Sequence, residues 1–163
     1  MRQPAVEHER DTVTTDDVLA DTEAVLVRDS NAPRQARRYV LAVLYRLGTA
    51  QEVAEAAEVV TSELVTNSVT YGQARMVRVG VTVRPASVTI TVSDGAPYRP
   101  LPPAAEAGPD DENGRGLFLV EALADRWGHR CAGVEPSDGT AVWAELRWWA
   151  GGQRGWGRTR PDS

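Results

Sequence analysis

The spacing of hydrophobic residues predicts two consecutive helices in the first half of the chain. Apolar positions three or four residues apart predict the longer helix, from about residue 50 to 71. A similar stripe predicts a shorter helix from about 32 to 47, with Pro33 in its first turn and Gly48 after its end. A short apolar run at 24–27 predicts a strand before them. The stripe of the longer helix consists of Val53, Ala57, Val60 and Leu64.

The period then changes to the alternation that is typical of strands. Residues 76–83 and 88–93 alternate apolar and polar positions around a Pro-containing turn, which predicts a β-hairpin. A helix from 117 to about 125 follows, and two more strands are predicted at 127–132 and 140–146. This order predicts an α+β fold, a two-layer sandwich with helices on one face of a mixed, mostly antiparallel sheet.

Residues 96–113 interrupt this pattern with a segment rich in Pro, Gly, Asp and Glu. A segment of this length inside a compact domain is usually functional, and we expect a lid that spans 95–115. We divide the chain into a disordered polar arm at 1–22, one domain at 23–148 and a flexible tail rich in Gly and Arg at 149–163.

Composition narrows the class of protein. The 163-residue chain has a formal net charge of −5, so it has no general attraction to nucleic acid, and we expect no direct binding to it. No apolar run is long enough to span a membrane and no signal peptide is present, so we expect a cytoplasmic protein without membrane contact. Cys131 is the single cysteine, which excludes a disulfide within the chain and predicts a buried, inert thiol.

The absence of lysine excludes two classes of phosphate-binding protein. All 18 basic side chains are arginines. A P-loop requires a lysine on the nucleotide phosphates, and so does the eukaryotic-type protein kinase fold. Neither class is therefore compatible with this chain.

Glu63 and Asn67 are the first candidate site residues. They are four positions apart, so their side chains share one face of the predicted helix, away from its apolar stripe. A carboxylate beside a carboxamide suits a hydrated Mg²⁺ ion, and the carboxylate can also orient or deprotonate a nucleophile. The alternative is a solvated helix face, which this pair alone does not exclude.

Two further clusters lie downstream. Asp94 with Gly95 follows an interior strand, where a carboxylate can accept a hydrogen bond from an exocyclic amine; the alternative is a simple Asp-Gly turn. Gly114, Arg115 and Gly116 precede a predicted helix, where glycines and free N–H groups attract phosphate; the alternative is a flexible hinge.

Together, in this order, the three clusters resemble the nucleotide-site motifs of the GHKL superfamily. This superfamily includes heat-shock chaperone ATPases, the DNA gyrase B subunit, MutL and histidine kinases, and its nucleotide site is called the Bergerat fold. The chain is most similar to the stand-alone anti-sigma-factor serine kinases of Gram-positive bacteria, over about 23–146. The similar stretches are 62–69 (SELVTNSV), 92–97 (VSDGAP) and 114–120 (GRGLFLV).

This resemblance implies a role for each matching residue. Asn67 would bind Mg²⁺ on the phosphates of ATP, Glu63 would be the general base towards a protein serine, and Asp94 would accept from the adenine amine. Thr140 would support the adenine end. The remaining nucleotide contacts and the closing lid would come from Gly95, Ala96, Gly114, Arg115, Gly116 and Leu117.

The resemblance also implies partners and leaves one alternative open. Relatives act as homodimers that bind a sigma factor or phosphorylate an anti-anti-sigma protein, so we expect both activities here. The family's first glycine box reads Asp-x-Gly-x-Gly, but Ala96 and Tyr98 occupy its glycine places in this chain. The alternative is therefore a non-catalytic module that sequesters a sigma factor or another regulator.

Other enzyme classes fit the sequence less well. The only histidines are His8 and His129, and no phospho-acceptor helix precedes the domain, which argues against a histidine kinase acting in trans. A gyrase- or MutL-like ATPase needs a following transducer domain. A metallohydrolase needs His or Cys at ligand spacing, and none is present.

Overall fold

A computed structural model describes residues 17–95, 112–133 and 139–148, with the backbone alone for 112–115. The described elements are three helices and five strands. None of these helices is long and apolar enough to cross a membrane. In chain order the elements are β1 (Ala20–Val27), α1 (Ala32–Arg46), α2 (Gln51–Tyr71), β2 (Met76–Arg84), β3 (Ser87–Ser93), α3 (Glu112–Leu123), β4 (Arg126–Cys131) and β5 (Thr140–Arg147).

The strands form one sheet in the order β1-β2-β3-β5-β4. Every pairing among these five strands is antiparallel, so the described sheet contains no parallel pair of the kind that a mixed sheet would have. The helices pack on the sheet, with α1 and α2 against each other and α3 against α2. The predicted α+β fold is confirmed.

The core lies between the helices and the inner face of the sheet. Alternate residues of β2 and β3 are buried, as expected for strands with one covered face. The predicted stripe of α2 is also buried, because all four of its residues belong to this core. The largest fully buried side chains include Leu44 of α1, Ile90 of β3 and Leu146 of β5.

Two elements begin earlier than the hydrophobic pattern predicts. β1 begins at Ala20 instead of residue 24, within the segment assigned to the arm, because its polar first half is held by cross-strand contacts. The Thr82 hydroxyl donates to Asp21 at 2.8 Å, and Arg78 forms a 2.9 Å ion pair with Glu23. α3 begins at Glu112 instead of residue 117, since glycines carry no side chain that could contribute to an apolar stripe.

Arg28 caps the C-terminal end of α2. Its Nη1 donates to the carbonyl oxygen of Val69 at 2.8 Å, and its Nε donates to that of Ala74. A cation at this position also interacts favourably with the negative end of the helix dipole. Since α2 has no basic residue in its own last turn, this charge comes from the end of β1.

The prediction for the single cysteine is not met, and two further features of the surface are placed by the structure. Cys131 is half-buried, so the prediction of a buried thiol is wrong. Trp148, the last described residue, donates its backbone N–H to Ala86 at 3.0 Å and packs at the margin of the core. The arginines in the first half of α1 differ in their contacts. Arg37 contacts Glu58 and Ser62 of α2. Arg34 and Arg38 are exposed.

Candidate functional site

The candidate residues meet at one end of the sheet, beside the C-terminal half of α2. β3 ends there at Ser93, and β5 begins there, with Ser93 paired to Ala141. Asp94 and Gly95 continue from β3, and Gly139 leads into β5. The fold therefore brings together segments that are separated by up to about 80 residues of sequence, as the three motifs require.

Glu63 and Asn67 lie side by side, half-buried, where α3 crosses α2. A Cβ atom built on Gly116 of α3 would be 2.6 Å from Glu63 Oε2 and 3.7 Å from Asn67 Oδ1. A glycine at 116 thus leaves room for the two polar side chains beneath α3. The structure places these three predicted residues together.

Asp94 lies against the last turn of α2. A Cβ atom built on Gly72 would be 2.9 Å from Asp94 Oδ2 and only 2.4 Å from the carbonyl oxygen of Ser68. Gly72 is the C-terminal cap of α2, and its backbone is extended, with φ −64° and ψ 157°. A glycine is needed here because the Ser68 carbonyl oxygen and Asp94 both approach closely, and not for a left-handed conformation.

Replacing Gly72 with alanine should therefore destabilise the protein, by about 1–3 kcal/mol, because backbone and Asp94 must both shift. Gly80→Ala is the matched control, since a Cβ atom there meets nothing closer than 3.7 Å. Urea unfolding of both variants measures the difference. Equal stability of the two would contradict the close approach of the Ser68 carbonyl oxygen and Asp94 to Gly72.

Gly95, which follows β3, and Gly139, which precedes β5, lie in close backbone contact. A Cβ atom on Gly139, whose φ is +101°, would lie 2.6 Å from the Cα atom of Gly95. Thr140 follows directly and pairs across the sheet with Cys131. The structure thus places Thr140 near Asp94, at the same end of the sheet.

The second glycine box differs from its prediction. Gly114, Arg115 and Gly116 do not form a loop before a helix, because they are the third to fifth residues of α3. The N–H groups of the first turn still have no partners within the helix. The N-terminal end of α3, near residue 114, therefore keeps the free donors and the positive dipole end that attract phosphate. Leu117 is half-buried on the same helix. Ala96, Tyr98 and the greater part of the predicted lid, 96–111, lie outside the described residues.

Ser68 lies beside Asp94 at the C-terminal end of α2, and it is not among the predicted site residues. It is 7% exposed, and its hydroxyl has no hydrogen-bond partner in the described part of the chain. The sequence does contain a sign of it. Ser68 is four residues after Leu64, so it places a polar side chain in the apolar stripe of α2.

These side chains suit a nucleotide with a hydrated divalent cation. Asn67 can offer one hard oxygen ligand to Mg²⁺, which keeps several waters and takes its other ligands from phosphates. Glu63 lies one turn away and can accept a proton from a hydroxyl. Groups of three or more His, Cys, Asp or Glu side chains that could hold a metal by themselves are absent from 17–95, 112–133 and 139–148.

Comparison with protein-family models identifies a match over most of the chain. The family model for the histidine kinase-like ATPase domain matches residues 8–145, which is most of the chain. The match contains all three clusters and also part of the segment that we assigned to the arm. No curated protein matches the chain.

Proposed function

The chain belongs to the histidine kinase-like ATPase family, and on this premise we propose that it is an ATP-dependent serine/threonine protein kinase that also acts as an anti-sigma factor. Domains of this family bind ATP, usually with Mg²⁺. The observation that best supports the kinase activity is the close approach of α3, at Gly116, to both Glu63 and Asn67. A side chain that can act as a base thus lies beside one that can bind a metal, under α3.

In the proposed site, each residue has one task in phosphate transfer. Asn67 would hold Mg²⁺, and the ion would neutralise charge on the phosphates. Glu63 accepts the proton of a serine or threonine hydroxyl as its oxygen attacks the terminal phosphorus, and ADP leaves. Asp94 accepts a hydrogen bond from the adenine amine. Positioning of these groups and electrostatic stabilisation of the phosphates together supply most of the catalysis in such reactions.

The proposed partners are proteins. A homodimer would bind a sigma factor and keep it from RNA polymerase, and it would phosphorylate an anti-anti-sigma protein of the STAS type. Arg34 and Arg38 provide an exposed basic face on α1 that is free of the α2 contacts made by Arg37. This face is a candidate contact for an acidic partner surface.

Phosphate transfer tests the proposal directly. The purified protein is incubated with Mg²⁺ and ATP labelled on the terminal phosphate, together with STAS-type proteins encoded in the same genome. We expect label on a serine or threonine of one of them, located by mass spectrometry. Binding of ATP without transfer to any of them would reject the kinase activity.

A non-catalytic module that sequesters a sigma factor is the second candidate function. Ala96 and Tyr98 favour it, because they replace glycines where the family's backbone lies near the nucleotide. The same assay separates the two functions, since the module would bind its partner but transfer no phosphate. Glu63 favours the kinase, because a module that only binds has no need of a base.

A further inference from the structure

Three exposed apolar side chains lie on the two helices that enclose Glu63. Val59 of α2 is 38% exposed, and Phe118 and Leu119 of α3 are 65% and 39% exposed. Single apolar side chains on a surface are normal, but a group of them often marks a surface that binds another protein. We call these three residues the α2–α3 patch, and its meaning depends on how close it lies to Glu63.

The course of the chain fixes how α3 runs relative to α2. α2 ends beside Asp94, at the end of the sheet where β5 begins. α3 leads into β4, and the first residue of that strand, Arg126, pairs with Glu145 near the opposite end of β5. The two helices therefore run antiparallel. Residues that follow Gly116 in α3 lie beside residues that precede Glu63 in α2.

This arrangement places the α2–α3 patch beside Glu63. Val59 precedes Glu63 by four residues, so the two side chains are neighbours on one face of α2. Leu119 follows Gly116 by three residues, on nearly the same side of α3, and Gly116 faces Glu63. Phe118 adjoins Leu119 and extends further into solvent, as its larger exposure shows. The patch thus borders the proposed base on the solvent side of both helices.

Transfer of phosphate to a protein requires that protein to reach Glu63. A base must lie within about 2.6–3.2 Å of the atom whose proton it accepts. Glu63 is half-buried beside α3, where a Cβ atom built on Gly116 would be 2.6 Å from its Oε2. A folded partner that brings a hydroxyl to this depth also covers the exposed surface of α2 and α3 around Glu63. The apolar part of that surface is the α2–α3 patch.

We propose that Val59, Phe118 and Leu119 form the binding surface for the protein that receives the phosphate, which rests on the kinase function proposed above. The bound segment of that protein carries an apolar side chain beside its serine or threonine. Phe118 is the main anchor, because aromatic residues contribute disproportionately to the affinity of protein interfaces. Glu55 lies one turn before Val59 and is exposed, so a basic side chain next to the apolar one completes the match.

Phe118→Gln tests this binding surface. Glutamine suits a helix at least as well as phenylalanine, and Phe118 is mostly exposed, so the variant should keep the melting temperature and the Mg²⁺·ATP affinity of the wild type. KM for the STAS-type protein that accepts phosphate should rise about tenfold, with little change in kcat, because the variant weakens binding of the partner and not the chemical step. Val59→Gln should raise KM in the same way, by about threefold.

Val25→Gln is the matched control. Val25 is 48% exposed, and it lies in β1 on the face of the sheet opposite to the helices, as its cross-strand partner Arg78 does. The same substitution there should leave KM for the partner unchanged. Steady-state transfer at saturating Mg²⁺·ATP, with the concentration of the partner varied, gives KM and kcat for each variant.

The results distinguish failure of the binding surface from failure of the kinase function. Wild-type protein that transfers phosphate to no STAS-type protein would overturn both. Wild-type transfer with equal KM values for Phe118→Gln and Val25→Gln would overturn the binding surface alone. A loss of Mg²⁺·ATP affinity in Phe118→Gln would also overturn it, because Phe118 would then act on the nucleotide and not on the partner.

Discussion

Glu63→Gln should lower phosphate transfer to the protein partner by about 100-fold or more, because glutamine keeps the shape of the side chain but cannot accept a proton. Affinity for Mg²⁺·ATP should change little, since the carboxylate acts on the hydroxyl and not on the nucleotide. Single-turnover transfer with saturating ATP measures the first quantity, and calorimetry measures the second.

Glu58→Gln is the control for this substitution. Glu58 lies on the same helix and forms a 3.7 Å ion pair with Arg37, with its side chain 46% exposed. Such exposed pairs contribute little to stability, so this variant should transfer phosphate at the wild-type rate. Transfer by Glu63→Gln at a rate similar to that of the control would remove Glu63 from the role of base.

A substitution in α3 can also disturb the surroundings of Glu63. The Cβ atom of Gly116→Ala would lie 2.6 Å from Glu63 Oε2, which is the end of a flexible side chain and can move aside. Alanine also favours a helix over glycine by about 1 kcal/mol, so the fold should be preserved. We therefore expect slower transfer from a protein that is no less stable.

Asn67→Ala should weaken Mg²⁺-dependent nucleotide binding by about 100-fold or more. Changes to groups that only support a metal ligand cost 10–100-fold in affinity, and loss of the ligand itself should cost at least about as much. Thr66→Ala is the control, because Thr66 is an exposed neighbour that lies about 100° away around the helix axis. Titrations with and without Mg²⁺ measure the effect. Unchanged Mg²⁺·ATP affinity in Asn67→Ala would refute the site assignment.

The elements with a strong hydrophobic period were predictable from sequence. α2 and the β2–β3 hairpin follow the pattern within one residue or so, because each buries one regular face. The spacing of Glu63 and Asn67 likewise fixes their common face once the helix is assigned. These features depend on local periodicity, which a single sequence contains.

Other features depend on contacts between distant segments. The early start of β1 depends on polar partners in β2, and the cap on α2 is supplied by Arg28, 41 residues from Val69. The need for glycine at 72 follows in part from Asp94, which is distant in sequence. The unpaired hydroxyl of Ser68 could not be anticipated either, since nearby hydroxyls on the same helix are satisfied locally.

Calorimetric titration of Mg²⁺·ATP into the wild-type protein, with Mg²⁺·GTP as the comparison, tests the central claim most directly. Saturable binding of ATP, at least about tenfold tighter than GTP, is the predicted result, because Asp94 accepts from an amine that guanine lacks at that position. Absence of binding at millimolar ATP, or equal binding of the two nucleotides, would contradict the assignment of this corner as an adenine-nucleotide site.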